Sequence, residues 1–296
     1  TWQSENQDSD ANNVYNIYGQ RYDDQGQATG SEFRINTYDT SSSTQSRPTV
    51  TGLSDDGGFV VTWQSYQQDG DGNYYNIYGQ RFGSDGQASG NEFIVNSYTS
   101  NDQHKPAIAD LGNGDFVVTW WDEVGNSTRT SEGFTDGSNY AVFGQKFTTT
   151  GDATPAAVAG GQFQVNTHIS DIQKYPSVAG FSDGGFVVTW QSRNQNEVSS
   201  KYNIYGQRFN ADGTAHADGE FLVNTDYTTN HQKYPSVTVL NDDDYVVTWY
   251  DERLSGDIYG QMYNANGAEK GDEFKINVGV GDRGDIQDYP EVTSLV

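Results

Sequence analysis

The chain is one unit written five times, and that repetition limits its fold more than any other feature. Val-Val-Thr-Trp stands at residues 60–63, 117–120, 187–190 and 246–249, and the chain opens on the tail of the same motif, Thr1-Trp2. Successive tryptophans lie 61, 57, 70 and 59 residues apart. Tyr-Asn-Ile-Tyr-Gly-Gln follows at 15–20, 75–80 and 202–207, with looser copies at 140–145 and 257–261. Glu-Phe-x-Val/Ile-Asn ends at Asn36, Asn96, Asn224 and Asn277, with a variant copy from Gln162 to Asn166. Gln-x-x-Pro closes each cycle, at Gln45, Gln103, Gln173, Gln232 and Gln287.

Each signature reads as a strand. Residues 59–63, Phe-Val-Val-Thr-Trp, are β-branched and aromatic almost throughout, as suits a strand covered on both faces. Asp56-Gly57 and Asp183-Gly184 supply tight-turn chemistry, as do Asp85-Gly86, Asp212-Gly213 and Asn266-Gly267. No stretch carries a helical apolar period with caps. Four strands in about 60 residues cannot bury both faces alone, whereas a ring of such sheets can. The expectation is an all-β, five-bladed β-propeller, one domain over residues 1–296. Its units begin near Trp2, Trp63, Trp120, Trp190 and Trp249. The terminal segment after Pro290 supplies the strand that the unit at Trp2 lacks, so the ring is expected to close between the termini.

Composition removes whole classes of function. Against 16 Lys and Arg stand 41 Asp and Glu, a net charge of −25, which repels nucleic-acid phosphate. With no Cys there is no disulfide, thiol nucleophile or thiolate metal site. No apolar run approaches the roughly 20 residues of a spanning helix, so membrane insertion is not expected. Aromatic residues make up 14% of the chain, too many for a disordered acidic segment.

Repeated polar residues are read as structural. A Gln or Asn kept in every unit serves backbone groups more readily than five ligands, and the five tryptophans are read as core between sheets. Departures from the repeat are the functional candidates. From Trp to the Gly of Gly-Gln the units span 17, 16, 24, 16 and 11 residues, and the longest span carries an insertion at 123–138. Variable loops on a rigid scaffold usually carry function. Trp121, Phe134, Tyr250 and Arg253 lie in or beside these loops and are the candidate ligand contacts. Asp122-Glu123 and Asp251-Glu252 are the candidate catalytic carboxylates, since glycoside hydrolysis uses a carboxyl pair. Asp8 with Asp10 and Asp69 with Asp71 place oxygens at alternating positions, as calcium prefers, without completing an EF-hand loop.

The order Asp-Gly-Gly-Phe-Val-Val-Thr-Trp-Gln-Ser, then Tyr-Asn-Ile-Tyr-Gly-Gln-Arg-Phe, then Gly-x-Glu-Phe-x-Val-Asn resembles the tandem repeats of very large secreted bacterial proteins of adhesin-like, calcium-dependent type. Residues 56–65, 75–82 and 90–96 carry it best, and 183–192 with 202–209 equally. The resemblance covers essentially the whole chain. It implies an extracellular or cell-surface setting, often within a longer polypeptide or polymer, and it implies no activity. Ser54-Asp-Asp56-Gly-Gly58 also begins like the turn motif of sialidase-type propellers, but Trp63 lies five residues after Gly58 instead of three. The resulting expectation is an adhesion or binding module that recognises glycan or polysaccharide, with calcium as the cofactor. The alternatives are an assembly module contacting other surface proteins, and a glycoside hydrolase or lyase. Five nearly equal units argue against catalysis, so a non-enzymatic role is expected.

Overall fold

The computed structural model describes the chain except residues 6, 8–13, 39, 41–42, 71, 124–139, 149–155, 158–160, 196–199, 254–255, 278–288 and 295–296. The described residues form five antiparallel sheets. The first holds β1 (Trp2–Glu5), β2 (Tyr15–Tyr22) and β3 (Ala28–Arg34). The second holds β4 (Gln45–Gly52), β5 (Phe59–Tyr66), β6 (Tyr75–Phe82) and β7 (Ala88–Ile94). In the third, β8 (Gln103–Gly112), β9 (Asp115–Glu123), β10 (Tyr140–Thr148) and β11 (Ala156–Ala157) run in order, and β12 (Phe163–Gln164) also pairs with β10. The fourth comprises β13 (Gln173–Gly180), β14 (Phe186–Arg193), β15 (Tyr202–Phe209) and β16 (Phe221–Leu222). The fifth comprises β17 (Gln232–Val239), β18 (Tyr245–Asp251), β19 (Asp257–Tyr263) and β20 (Phe274–Lys275). The chain groups into two compact units, residues 1–122 with 145–163, and residues 123–144 with 164–296.

The sheets are blade-like, but the closed ring is not found. Among the described residues β1 pairs with β2 alone, and the first sheet has three strands. The described residues after Pro290, 291–294, form no ladder. They lie instead against β17, where the Val292 N–H donates to Ser236 Oγ at 3.1 Å. One sheet earlier, the Val237 N–H donates to Ser177 Oγ in the same way, at 3.1 Å. The terminal segment therefore takes the place of a next first strand beside the fifth sheet, held by a side-chain bond rather than by a partner strand.

Packing explains the motifs. Trp63, Trp120, Trp190 and Trp249 are fully buried. Trp63 joins Ile17, Ile35, Tyr78 and Phe82 in a core between the first two sheets. Trp249 joins Ala179, Val187, Ile204 and Val237 between the last two. At the far end of the second and third strands a cross-strand ring pair recurs. Phe59–Phe82, Phe186–Phe209 and Tyr245–Tyr263 are stacked at 4.9, 4.8 and 4.8 Å. The glycine of Gly-Gln receives the phenyl ring of the Glu-Phe strand. A Cβ at Gly206 would lie 2.5 Å from Phe221 Cζ, and one at Gly79 would lie 2.6 Å from Phe93 Cζ.

The repeated amides are structural, as read from the sequence. Gln20, Gln80, Gln145, Gln207 and Gln261 each donate from Nε2 to the carbonyl of the following residue, at 2.8 to 2.9 Å. In β2 and β6 the ladder shifts register beside this glutamine.

Gly206→Ala is expected to destabilise the fold by about 1–3 kcal/mol through overpacking against Phe221. At Gly52 an added Cβ meets nothing within 4 Å, so Gly52→Ala is expected to change stability by under about 1 kcal/mol. Urea unfolding of the two variants checks the pair.

Candidate functional site

The site is built on the Gln-x-x-Pro segments. The sequence suggests that each proline opens a strand, but the first strands begin three residues earlier, at Gln45, Gln103, Gln173 and Gln232. The proline, which has no N–H to give, falls inside a bulge, and the ladder shifts register around it in all four. The residue before each proline is left-handed: φ is 55° at Arg47, 50° at Lys105, 58° at Tyr175, 54° at Tyr234 and 55° at Tyr289. A pre-proline residue favours extended backbone, and such a conformation costs about 1–3 kcal/mol per residue.

Side chains from neighbouring strands hold these bulges. Within the first unit the Arg47 N–H donates to Gln3 Oε1 at 2.9 Å, and the Lys105 N–H donates to Gln64 Oε1 at 3.1 Å. Within the second, the Tyr234 N–H donates to Gln191 Oε1 at 3.2 Å. The repeated Asn fixes the loop that leads in. Asn224 Oδ1 accepts from the Ile204 N–H at 2.7 Å, while its Nδ2 donates to the Tyr227 carbonyl at 2.9 Å. The Glu of Glu-Phe ties the preceding loop down as well: Glu273 accepts from the Asp226 N–H at 2.9 Å, and Glu220 accepts from the Thr167 N–H.

In the second unit this frame presents tyrosines and lysines. Tyr175 and Tyr234 meet edge to face at 5.0 Å, and Tyr234 stacks on Tyr289 at 4.2 Å. Tyr289 is 56% exposed. The Lys174 ammonium sits 3.2 Å from the centre of the Tyr140 ring. Burial holds Lys174 below the usual lysine pKa, and the charge of Glu123 opposes that shift. Burial raises the Tyr140 pKa, helped by the charge and hydrogen bond of Glu123. Lys233 Nζ pairs with Glu252 Oε1 at 2.6 Å. The cross-strand pairings Gln232–Asp251 and Asp251–Asp257 place this group where the second strand ends and the first and third begin. Glu123 ends one second strand and Glu252 follows another; Lys233 is ion-paired with Glu252, and the charge of Glu123 acts on Lys174.

The residues singled out from sequence lie in different settings. Asp122 and Asp251 are fully buried. They occupy the place of Ser65 and Ser192, across from the Gln of Gln-x-x-Pro. Asp251 is taken by Arg253, whose Nε donates to Oδ2 at 2.6 Å. Arg253 also pairs with Glu273 at 2.7 Å and lies over the Tyr259 ring at 3.9 Å, so it clamps the fifth sheet. Trp121 is buried against His104 at 4.4 Å, and Tyr250 is buried with its hydroxyl over Gly256. Glu123 and Glu252 are half-buried beside the lysines. Phe134, Asp8, Asp10 and Asp71 lie outside the described residues. Asp69 accepts from Asn76 Nδ2 at 3.0 Å, and among the described residues no three His, Asp or Glu side chains converge.

Lys174, Tyr175, Lys233, Tyr234 and Tyr289 are functional candidates that the motif reading passes over. Their signal lies in the letters between Gln and Pro. Those ten positions hold four of the chain's 16 Lys and Arg, where an even spread would put fewer than one.

No family model matches the chain, and no curated protein matches its sequence. Solved structures do share its fold. The GH93 α-L-arabinofuranosidase of Fusarium graminearum, in complex with arabinobiose, superposes with a TM-score of 0.60 at 13% identity, over 98% of this chain and 79% of that one. The Trypanosoma rangeli sialidase in complex with the inhibitor DANA does so with a TM-score of 0.50 at 11% identity, over 87% of this chain and 42% of that one. The chain is thus propeller-like. The premise of the non-enzymatic expectation, that a repetitive fold of this kind argues against catalysis, is corrected by these matches, because two proteins that share the fold are named as an arabinofuranosidase and a sialidase. Equal strands do not require equal chemistry, since residues on the bulges vary while the frame beneath them repeats. Among the described residues no helix is long and apolar enough to cross a membrane.

His231 links the site to pH. Its Nδ1 accepts from the Tyr202 N–H at 3.2 Å. Burial and then the charge of Lys233 lower its pKa below 6.5. The folded state therefore binds this proton less readily than the unfolded chain. The stability it contributes is present above 6.5 and is lost as pH falls. His231→Asn keeps an acceptor without the titration. Its melting temperature is expected to fall less than that of the parent between about pH 7.5 and about pH 5.5, measured by calorimetry.

Proposed function

We propose that the chain is a carbohydrate-directed propeller module that cleaves glycosidic bonds, with Glu123 and Glu252 as the acting carboxyl groups. The observation that carries this reading is the ion pair of half-buried Glu252 with Lys233, a lysine on a Gln-x-x-Pro bulge, at 2.6 Å, with half-buried Glu123 at the matching second-strand end of the third sheet. A fold shared with two named glycosidases supports it. Hydrolysis needs one carboxyl group to protonate the leaving oxygen and a second to attack the sugar or activate water. Asp122 and Asp251 are too deeply buried to meet a sugar and instead position the strand ends. The resemblance of the repeats to secreted modules supports an extracellular setting.

Incubation with a panel of plant and microbial polysaccharides, followed by product analysis, tests the reading. Glu123→Gln and Glu252→Gln are expected to cut the rate by about 100-fold or more while melting is unchanged. Full activity in both variants, or no product from any polysaccharide, contradicts it.

A further inference from the structure

Nothing in a fold of this kind dictates which sugar it takes, but the charge and ring placement on the second unit do. The chain carries a net charge of −25, so its general field disfavours an anionic ligand. Against that field, a quarter of its cations sit in the ten positions between Gln and Pro. The second unit holds two of them, Lys174 and Lys233, each adjacent in sequence to a tyrosine of the Tyr175–Tyr234–Tyr289 group. Tyr289 stacks on Tyr234, yet more than half of it is open to solvent. An exposed aromatic ring with polar neighbours suits the apolar face of a pyranose.

The backbone supports a built site rather than a chance cluster. All three tyrosines adopt positive φ, which bulky side chains rarely do. The Tyr234 bulge is held by the bond its N–H donates to Gln191 Oε1. The same strain recurs at Arg47 and Lys105, so it belongs to the frame, and the tyrosines set on it are what distinguish the second unit. The lysines are partly screened, Lys174 by the Tyr140 ring and Lys233 by Glu252. An ion pair that remains partly exposed holds weakly, so an incoming carboxylate can share the lysine.

We infer that Lys174 and Lys233, with Tyr175, Tyr234 and Tyr289, form a subsite for a carboxylate-bearing sugar, the ring face on Tyr289 and the carboxylate toward the lysines. This rests on the reading of the chain as carbohydrate-directed and narrows the substrate to acidic glycans, of the uronic or sialic type.

The test is titration calorimetry of the full chain with trigalacturonate and with a sialylated trisaccharide, each beside its methyl ester, which removes the charge and keeps the ring. At least one acid is expected to bind about tenfold or more tighter than its ester, with affinity falling as salt rises. Lys174→Gln and Tyr289→Ala should each weaken that binding by about tenfold. Tyr289 is exposed, so its variant tests the subsite even if the lysine variant folds poorly. Esters that bind as tightly as both acids, absence of binding by both acids, or unchanged affinity in Tyr289→Ala overturns the inference. Acid-selective binding without cleavage of any polysaccharide would leave the subsite standing and remove only the proposed hydrolysis. Cleavage of neutral glycans without acid preference would do the reverse.

Discussion

The asparagine that ends each Glu-Phe-x-Val/Ile-Asn motif, buried in the first four units, is the constraint on which the rest depends. Asn36, Asn96, Asn166, Asn224 and Asn277 all accept from the first Ile or Val N–H of the third strand, at 2.7 to 2.8 Å. In the first four units the same amide donates to a loop carbonyl, at 2.8 to 2.9 Å. One side chain thereby fixes where one sheet ends and how the chain enters the next. A buried amide left without these partners would cost about 1–3 kcal/mol, so no other residue substitutes easily. The loop so fixed is the one that delivers the Gln-x-x-Pro bulge.

From that anchor the hierarchy is short. The asparagine sets the loop, and the glutamate of the following Glu-Phe strand clamps it through the next backbone N–H. The glutamine after the tryptophan holds the left-handed residue of the following bulge. In the third and fifth units Trp121 and Tyr250 replace that glutamine. Those two units also carry Asp122-Glu123 and Asp251-Glu252 where the standard unit has Ser. The frame is conserved within the chain by repetition, and the proposed chemistry lies where the frame departs from it.

Much of this was legible in the sequence, because strand identity follows from residue type. Val-Val-Thr-Trp could only be a strand buried on both faces, and the Asp-Gly pairs marked the hairpins that Gly57 and Gly184 make with φ of 70° and 84°. The structural role of the repeated amides followed from counting, since five equal ligand contacts are implausible. The bulge was not legible. A Tyr or Lys before proline reads as extended chain, and its left-handed turn depends on an amide from another strand. For the same reason Trp121 and Tyr250 looked like ligand contacts. Their departure from the repeat was visible, but the His104 ring and Gly256 that cover them come from elsewhere in the chain. Ring closure failed because sequence phase shows which strand is missing, not whether a side-chain bond to Ser236 will hold the terminal segment instead.

Sugar is proposed to meet the protein on the bulge tyrosines, beside Glu123 and Glu252, and not on the outer strands. A crystal structure of the Glu252→Gln variant soaked with an acidic oligosaccharide measures this directly. A sugar ring is expected against Tyr289, with its carboxylate within hydrogen-bonding reach of Lys174 or Lys233. A sugar bound instead along β3, β7, β16 or β20, with the tyrosines uncovered, would contradict it.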